Sequence, residues 1–407
     1  MNKITFKNTE ILKRKLELFI KDAQSNADAQ NLIDFIYDNP ERYDSILKPF
    51  FSNSYLREYY DAKAIVELLV SIYYAHKIKD GKEFLHQFSK NLNRVFNEWV
   101  AIFPLDYNTL FSKPLTFINF KRFGHEVLII PPTKDFKLLS SLLVKEYKSS
   151  NPEEDFEDFH RRKRNTLVDN PLLCIRYHGT RNVVLGQVLK HYRYFKWLQE
   201  VFIASINGRE ELFNLNQATT EHYYLLNLKQ GELEPYPLWE GSKCLLRVSD
   251  ELFSFLNKMH MAFFVELIFN KVEDRLFDRI FNSLYFFSKG FNSLDKLSRF
   301  VFYVFSMESL FTMRGAPIAS SLAENIALLC YPTLKRLEVY KLIKQIYNFR
   351  SEIVHSGKHN IDTELLKKTE EIASYAIACS LDWFRRSKKE SDLEEMFFDY
   401  LLSKKLK

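Results

Sequence analysis

Apolar residues return at three- and four-residue steps through most of this chain, a spacing that confines it largely to helices with one buried face. Ile11, Leu12, Leu16 and Phe19 share such a face, behind a candidate cap at Asn8 or Thr9. Ile65, Leu68, Leu69 and Ile72 mark a second helix, and Phe84, Phe88, Leu92, Val95 and Trp99 predict a third that runs on through Trp99. Later stripes are Leu252, Leu256, Met259 and Phe263, then Leu297, Val301, Val304, Phe305 and Phe311. Ser321 to Glu324 fits a capping box. A final helix opens near Asp362 and runs through Leu365, Ile372, Ala376, Cys379 and Trp383. Only 10 glycines and 12 prolines interrupt 407 residues, against average shares of about 7% and 5%. A mainly α protein follows, with aromatic-rich cores drawn from its 37 phenylalanines.

The pattern changes in the middle. Pro104, Pro114, Pro131, Pro132, Pro152 and Pro171 punctuate a segment with β-rich runs between them. Leu115 to Ile130 reads as a hairpin turning at Phe123-Gly124, and Leu172 to Tyr177 and Tyr223 to Leu228 as further strands. The expected organisation is therefore an N-terminal helical region over 1–100, a small mixed α/β domain over 101–245 with a possible sensing or RNA-binding role, and a helical bundle over 246–407.

Several function classes fall away on composition. A formal charge of +6 permits an anionic partner without demanding one. The N-terminus MNKITFKNTE is too polar for a secretory signal, and the longest apolar run, Met259 to Phe269, is broken by Glu266. A cytoplasmic protein with no membrane partner is the expectation. Cys174, Cys244, Cys330 and Cys379 are scattered without metal or redox spacing and read as buried free thiols. No phosphate-cradling glycine loop is present.

Two basic features bear on nucleic acid. Glu153 to Asp158 is followed by His160 to Arg164, so Arg161, Arg162 and Arg164 form either an RNA-contacting loop or a self-paired surface loop, the second being favoured. Lys190 to Trp197 alternates cations with aromatics, which suits stacked bases and phosphates. It fits better a single helix in which Val184, Val188, Tyr192, Phe195 and Phe202 face inward while Lys190, Arg193 and Lys196 face water.

The sharpest chemistry lies at Ile346 to Lys358, reading IYNFRSEIVHSGK. Leu342, Ile343, Ile346 and Tyr347 set the buried face of a helix that Ser356-Gly357 ends. Arg350 and His355 stand five apart near that end, with Lys358 just beyond. A fixed cation beside a group titrating near neutrality suits phosphodiester chemistry. By spacing alone, a solvated arginine beside a helix-end histidine is the commoner arrangement. A metal site from His355 and His359 is disfavoured by Gly357 between them, and no cofactor is expected.

From about Leu297 to Phe384 the chain resembles the Apea-like branch of the HEPN superfamily, helical domains that are often metal-independent ribonucleases. The resemblance rests on FVFYVFSMESLF at Phe300 to Phe311 with Glu308 in an apolar helix, Leu322 to Leu329, RLEVY at Arg336 to Tyr340, and YNFRSEIVHSG at Tyr347 to Gly357. Many nuclease members carry Asn, Asp or His after the arginine, where this chain has Ser351. The resemblance implies a HEPN-type bundle, with Arg350 and His355 catalytic and Asn348, Ser351 and Glu352 auxiliary. On an ideal helix five residues turn about 500° and rise about 7.5 Å, so the pair flanks a groove. RNA scission needs a base, an acid and a charge stabiliser, and a two-fold dimer supplies the second pair. The expected function is endoribonuclease action in anti-phage defence or a toxin system, with a phage-derived activator or an antitoxin as further partner. The alternative is a non-catalytic HEPN scaffold for dimerisation or nucleotide binding.

Overall fold

The computed structural model describes residues 9–26, 28–104, 106–107, 118–122, 125–130, 172–206, 222–230, 233–237, 247–248, 274–312, 317–356, 360–387 and 392–405. Outside these residues lie the stripe from Leu252 to Phe263, the basic run at Arg161, Arg162 and Arg164, and also Gly357, Lys358, His359 and Cys244. The protein is mostly helical with a small antiparallel sheet. It sorts into two compact units, one of 1–104, 125–190 and 222–237, the other of 105–124, 191–221 and 238–407.

The first unit opens with six helices: α1 (Thr9–Ser25), α2 (Ala29–Asp38), α3 (Pro40–Phe51), α4 (Ser54–Tyr59), α5 (Ala62–His76) and α6 (Gly81–Val95). Three aspartates start three of them. Asp28, Asp61 and Asp80 each accept a backbone N–H of the first turn at 2.9 Å, which satisfies a donor the helix itself cannot. The predicted stripes then close one core, except that Ile11 is exposed: Leu12, Leu16 and Phe19 of α1 are buried with Ile65, Leu69 and Phe84. Phe19 meets Phe84 edge-on at 5.6 Å.

Strands follow: β1 (Asn97–Pro104), β2 (Asp106–Tyr107), β3 (Ile118–Arg122), β4 (His125–Ile130), β5 (Leu172–Gly179), β6 (His222–Asn227), β7 (Leu233–Pro237) and β8 (Arg247–Val248). In the first unit they stand in the order β4-β5-β1-β6-β7, all antiparallel. β3 and β4 flank residues 123–124, where the hairpin turn was predicted, and β5 and β6 occupy the other two predicted strands. Val100, Ile102, Cys174 and Tyr224 pack over the sheet.

Trp99 corrects the third helical stripe. The helix stops at Val95, and Trp99 sits in β1 with its indole N–H donating to Gly179 O at 3.0 Å. The run Trp99-Val100-Ala101-Ile102-Phe103 is buried throughout. An unbroken apolar run that starts after Asn97-Glu98 and ends at Pro104 belongs to a strand covered on both faces, and the four-residue step from Val95 is coincidental.

Helix α7 (Arg181–Ile206) carries KHYRYFKW. Val184, Val188 and Phe195 are buried as expected, and Lys190 and Arg193 are exposed. Lys196 is the exception: it is buried, with its ammonium 3.8 Å from Glu200 one turn on. Charge pairing along the helix lets a lysine occupy the inner face.

The second unit holds α8 (Arg275–Asn292), α9 (Lys296–Phe311), α10 (Ile318–Cys330), α11 (Thr333–Ser356), α12 (Thr363–Arg386) and α13 (Leu393–Lys405). α8 and α9 approach closely because Gly290 lacks a side chain: a Cβ there would lie 2.8 Å from the Tyr303 ring. Buried Ser283 and Ser306 hydroxyls meet at 3.0 Å across the same pair. Glu370 of α12 accepts from Tyr303 Oη at 2.7 Å and from Arg299 at 3.0 Å, so its buried charge is satisfied.

The helix expected near Asp362 does open there, with the Asp362 carboxylate accepting from Leu365 N at 3.1 Å, but it is not the last, because α13 follows it. The capping box at Ser321 to Glu324 is not formed. α10 begins three residues earlier, after Pro317, and Ser321 is buried inside it. Proline fixes the backbone ahead of the first turn and so displaces the start from serine.

One residue caps two helices. Asp274 accepts from Leu276 N with one oxygen and from Leu393 N with the other, each at 2.7 Å. Asp274→Ala should therefore lower the stability of this unit by about 2 kcal/mol, roughly twice a single cap. Urea denaturation of the purified variant measures the loss.

The cysteines also depart from expectation. Cys174 and Cys330 are buried free thiols, but Cys379 is half-buried, and packing of α10 against α12 brings it to Cys330. No helix among the described residues is long and apolar enough to cross a membrane.

Candidate functional site

Helix α11 places the Arg-His motif. Val339, Ile343 and Ile346 are buried along it, and the next position in that i, i+4, i+7, i+11 series is Arg350. A cation thus occupies a place where the stripe calls for another aliphatic residue. The side chain resolves this by lying along α9. Its guanidinium carbon sits 5.0 Å from the Phe305 ring centre and 5.9 Å from that of Tyr347, within the range of cation–π attraction.

Arg350 Nε also lies 3.6 Å from Glu308 Oε1, and both side chains are 18% exposed. That separation is an ion pair but too long for a hydrogen bond, and neither atom has a hydrogen-bond partner among the described residues. Burial pushes the Glu308 carboxyl above its usual range, and the Arg350 charge offsets part of the rise. The two charges are desolvated together and face each other without closing.

His355 is in the last turn of α11 and exposed. Five residues turn it about 140° away from Arg350, so the arginine is held against α9 while the imidazole is open to a ligand. Asn348 and Glu352 are exposed and Ser351 is half-buried on the same helix. The chain brings these residues together only through α11. Lys190 and Arg193 are exposed on α7, and Arg161, Arg162, Arg164 and Lys358 lie outside the described residues.

Three contributors were not among the predicted site residues: Glu308, Phe305 and Tyr347. The signal for Glu308 was present as a lone carboxylate in the apolar run FVFYVFSMESLF. Phe305 carried none, since an aromatic on a helical stripe reads as core.

Glu308→Gln keeps the shape and removes the charge. Because the folded-state carboxyl titrates above its unfolded value, the folded chain binds that proton more tightly, and the stability it confers falls as pH rises from the ordinary carboxylate range through the raised one. Unfolding measured at pH 5 and pH 7 should show wild type losing stability between them relative to Glu308→Gln.

A cleft of about 390 Å³ in the first unit is lined by residues that include Asp61, Lys63, Glu67, Arg181 and Glu234. Its charges are spent on one another: Lys63 lies 3.8 Å from Glu67, Arg181 pairs with Glu234, and Asp61 accepts from Thr180 Oγ1 at 2.6 Å. Compared with protein families, curated proteins and solved structures, the chain matches none.

Proposed function

We propose that the chain is a metal-independent endoribonuclease of HEPN type, working as a homodimer whose two Arg350–His355 pairs share one phosphate. The observation that carries this reading is the pairing of an arginine held on Phe305, Tyr347 and Glu308 with an exposed histidine five residues on. An immobilised guanidinium is suited to charge that develops on phosphate oxygens, because it need not reorganise during the reaction. An open imidazole is suited to proton transfer near neutral pH.

In this mechanism one His355 takes the proton of a ribose 2′-hydroxyl, whose oxygen attacks the adjacent phosphorus. Arg350 stabilises the pentacoordinate, more highly charged arrangement. The partner protomer's copy of the histidine, or water, gives a proton to the departing 5′-oxygen. The products are a 2′,3′-cyclic phosphate and a 5′-hydroxyl. Asn348, Ser351 and Glu352 orient the Arg350–His355 pair or the phosphate, and Lys190 and Arg193, with Arg161, Arg162, Arg164 and Lys358, supply counter-charge to RNA. On this reading the enzyme acts in the prokaryotic cytoplasm, in anti-phage defence or a toxin pair, where a phage product or an antitoxin controls it.

A single 2′-deoxy substitution at a mapped cleavage position tests the chemistry. The reading expects that site to become resistant while neighbouring sites are still cut. Equal cutting of the deoxy site removes the 2′-hydroxyl from the mechanism. The Glu308 contact favours one other reading, a non-catalytic HEPN scaffold, since an arginine already paired can serve as structure alone.

A further inference from the structure

Cys330 and Cys379 are remote in sequence and adjacent in space. Cys330 is the last residue of α10, where the chain leaves the helix through Tyr331 and Pro332. Cys379 stands in α12, half-buried, one turn after Tyr375, and packing of α10 against α12 makes Cys330 and Tyr375 the neighbours that act most on its thiol. Beside them the Tyr331 and Tyr375 rings, one next to Cys330 in sequence and the other a turn before Cys379, meet edge-on at 5.5 Å. Neither cysteine is disulfide-bonded.

We infer that Cys330 and Cys379 are a reversible dithiol–disulfide pair, oxidised by a peroxide, that staples the end of α10 to α12. The division of labour follows from the surroundings. Cys379 is the more accessible sulfur, and its contacts with Cys330 and Tyr375 hold it below the ordinary thiol range. A thiolate stabilised in this way is the reactive form. Cys330 is buried, and burial together with the neighbouring Cys379 pushes it well above that range, so it remains a thiol until a partner reaches it.

The step balances with hydrogen peroxide as the two-electron oxidant. The Cys379 thiolate attacks one peroxide oxygen, the O–O bond breaks, and hydroxide leaves and takes up a proton as water. This gives a sulfenic acid at Cys379. Cys330 sulfur then attacks Cys379 sulfur, an S–S bond forms, and the sulfenic oxygen departs as a second water with the Cys330 proton. Two thiols and one peroxide become one disulfide and two waters. Thiols such as dithiothreitol reverse it by exchange. The staple spans α11 and the joint that leads into it, so oxidation restrains the base of the helix carrying Arg350 and His355.

The test uses the full chain, fully reduced and then treated with hydrogen peroxide at near-stoichiometric amounts. Free thiols are blocked with N-ethylmaleimide before digestion and mass spectrometry. The expected result is a Cys330–Cys379 linked peptide that dithiothreitol abolishes and that is absent from Cys379→Ser. In Cys330→Ser, Cys379 should instead be trapped by dimedone as the sulfenic acid. The oxidised wild type should also melt at a higher temperature than the reduced one, because the cross-link restricts the unfolded chain. Retention of both maleimide labels overturns the inference, as does oxidation of Cys379 to a sulfinic acid, or its linkage to Cys174 or Cys244, with no link to Cys330. Should a serine variant fail to fold, the wild-type peptide map decides alone.

Discussion

His355→Ala is expected to leave the protein folded and, on the proposed function, to lower RNA cleavage by about 10²- to 10⁴-fold, the range for loss of a general acid or base. The side chain is exposed in the last turn of α11, so its removal opens no cavity and the loss reads on chemistry. Arg350→Ala should give a comparable loss of activity but a different stability result. It leaves the Glu308 carboxylate in its largely buried position without a cation, which costs about 1–3 kcal/mol. Two further variants separate the effects. Arg350→Lys keeps the charge but loses the planar fork, so it recovers stability better than activity. Arg350→Ala combined with Glu308→Gln removes both charges, recovers stability and remains inactive. Recovery of cleavage in that double variant would assign Arg350 a structural role. Single-turnover cleavage of RNA beside urea denaturation of each variant supplies both readings.

Gly179→Ala destabilises the first unit by about 2–4 kcal/mol, combining backbone strain with a clash. Gly179 ends β5 at φ +141°, a conformation that side-chain-bearing residues rarely adopt, and a Cβ there would lie 2.8 Å from the backbone oxygen of Tyr59. Neither neighbour can yield cheaply. Thr180 N donates to that same Tyr59 oxygen at 2.8 Å, and Gly179 O holds the Trp99 indole at 3.0 Å. Thr180 Oγ1 continues the join to Asp61, the cap of α5. The substitution thus strikes the point where the helices and the sheet of this unit meet. Thermal and urea unfolding of Gly179→Ala measure the effect, and an unchanged midpoint would refute the close approach.

What the sequence made legible was what local rhythm encodes. Leu12, Leu16 and Phe19 are buried as their spacing demands, and the strands either side of residues 123–124 follow from alternation and a glycine. The start of α12 at Asp362 follows from cap chemistry. The failures come from partners that the local rhythm does not reveal. Trp99 continues a helical rhythm, yet the strands on either side of it recruit it. Lys196 reads as solvated until Glu200 is seen beside it in the interior. Ser321 loses its cap role to Pro317, a local competitor outside the four-residue pattern. In the candidate site, Arg350 and His355 were legible as a motif. How α9 holds the arginine was not: Phe305 carried no signal, and Glu308 stood out only as a lone carboxylate without a partner, because only the packing of α9 against α11 unites them with Arg350.

The central claim is that Arg350 and His355 cut RNA without a metal. It is tested most directly by incubating purified protein with RNA in excess chelator and determining the ends of the fragments. The account predicts 2′,3′-cyclic phosphate and 5′-hydroxyl ends from wild type and intact RNA from His355→Ala. Fragments with 5′-phosphate ends, cleavage that vanishes with the chelator, or undiminished cutting by His355→Ala would contradict it.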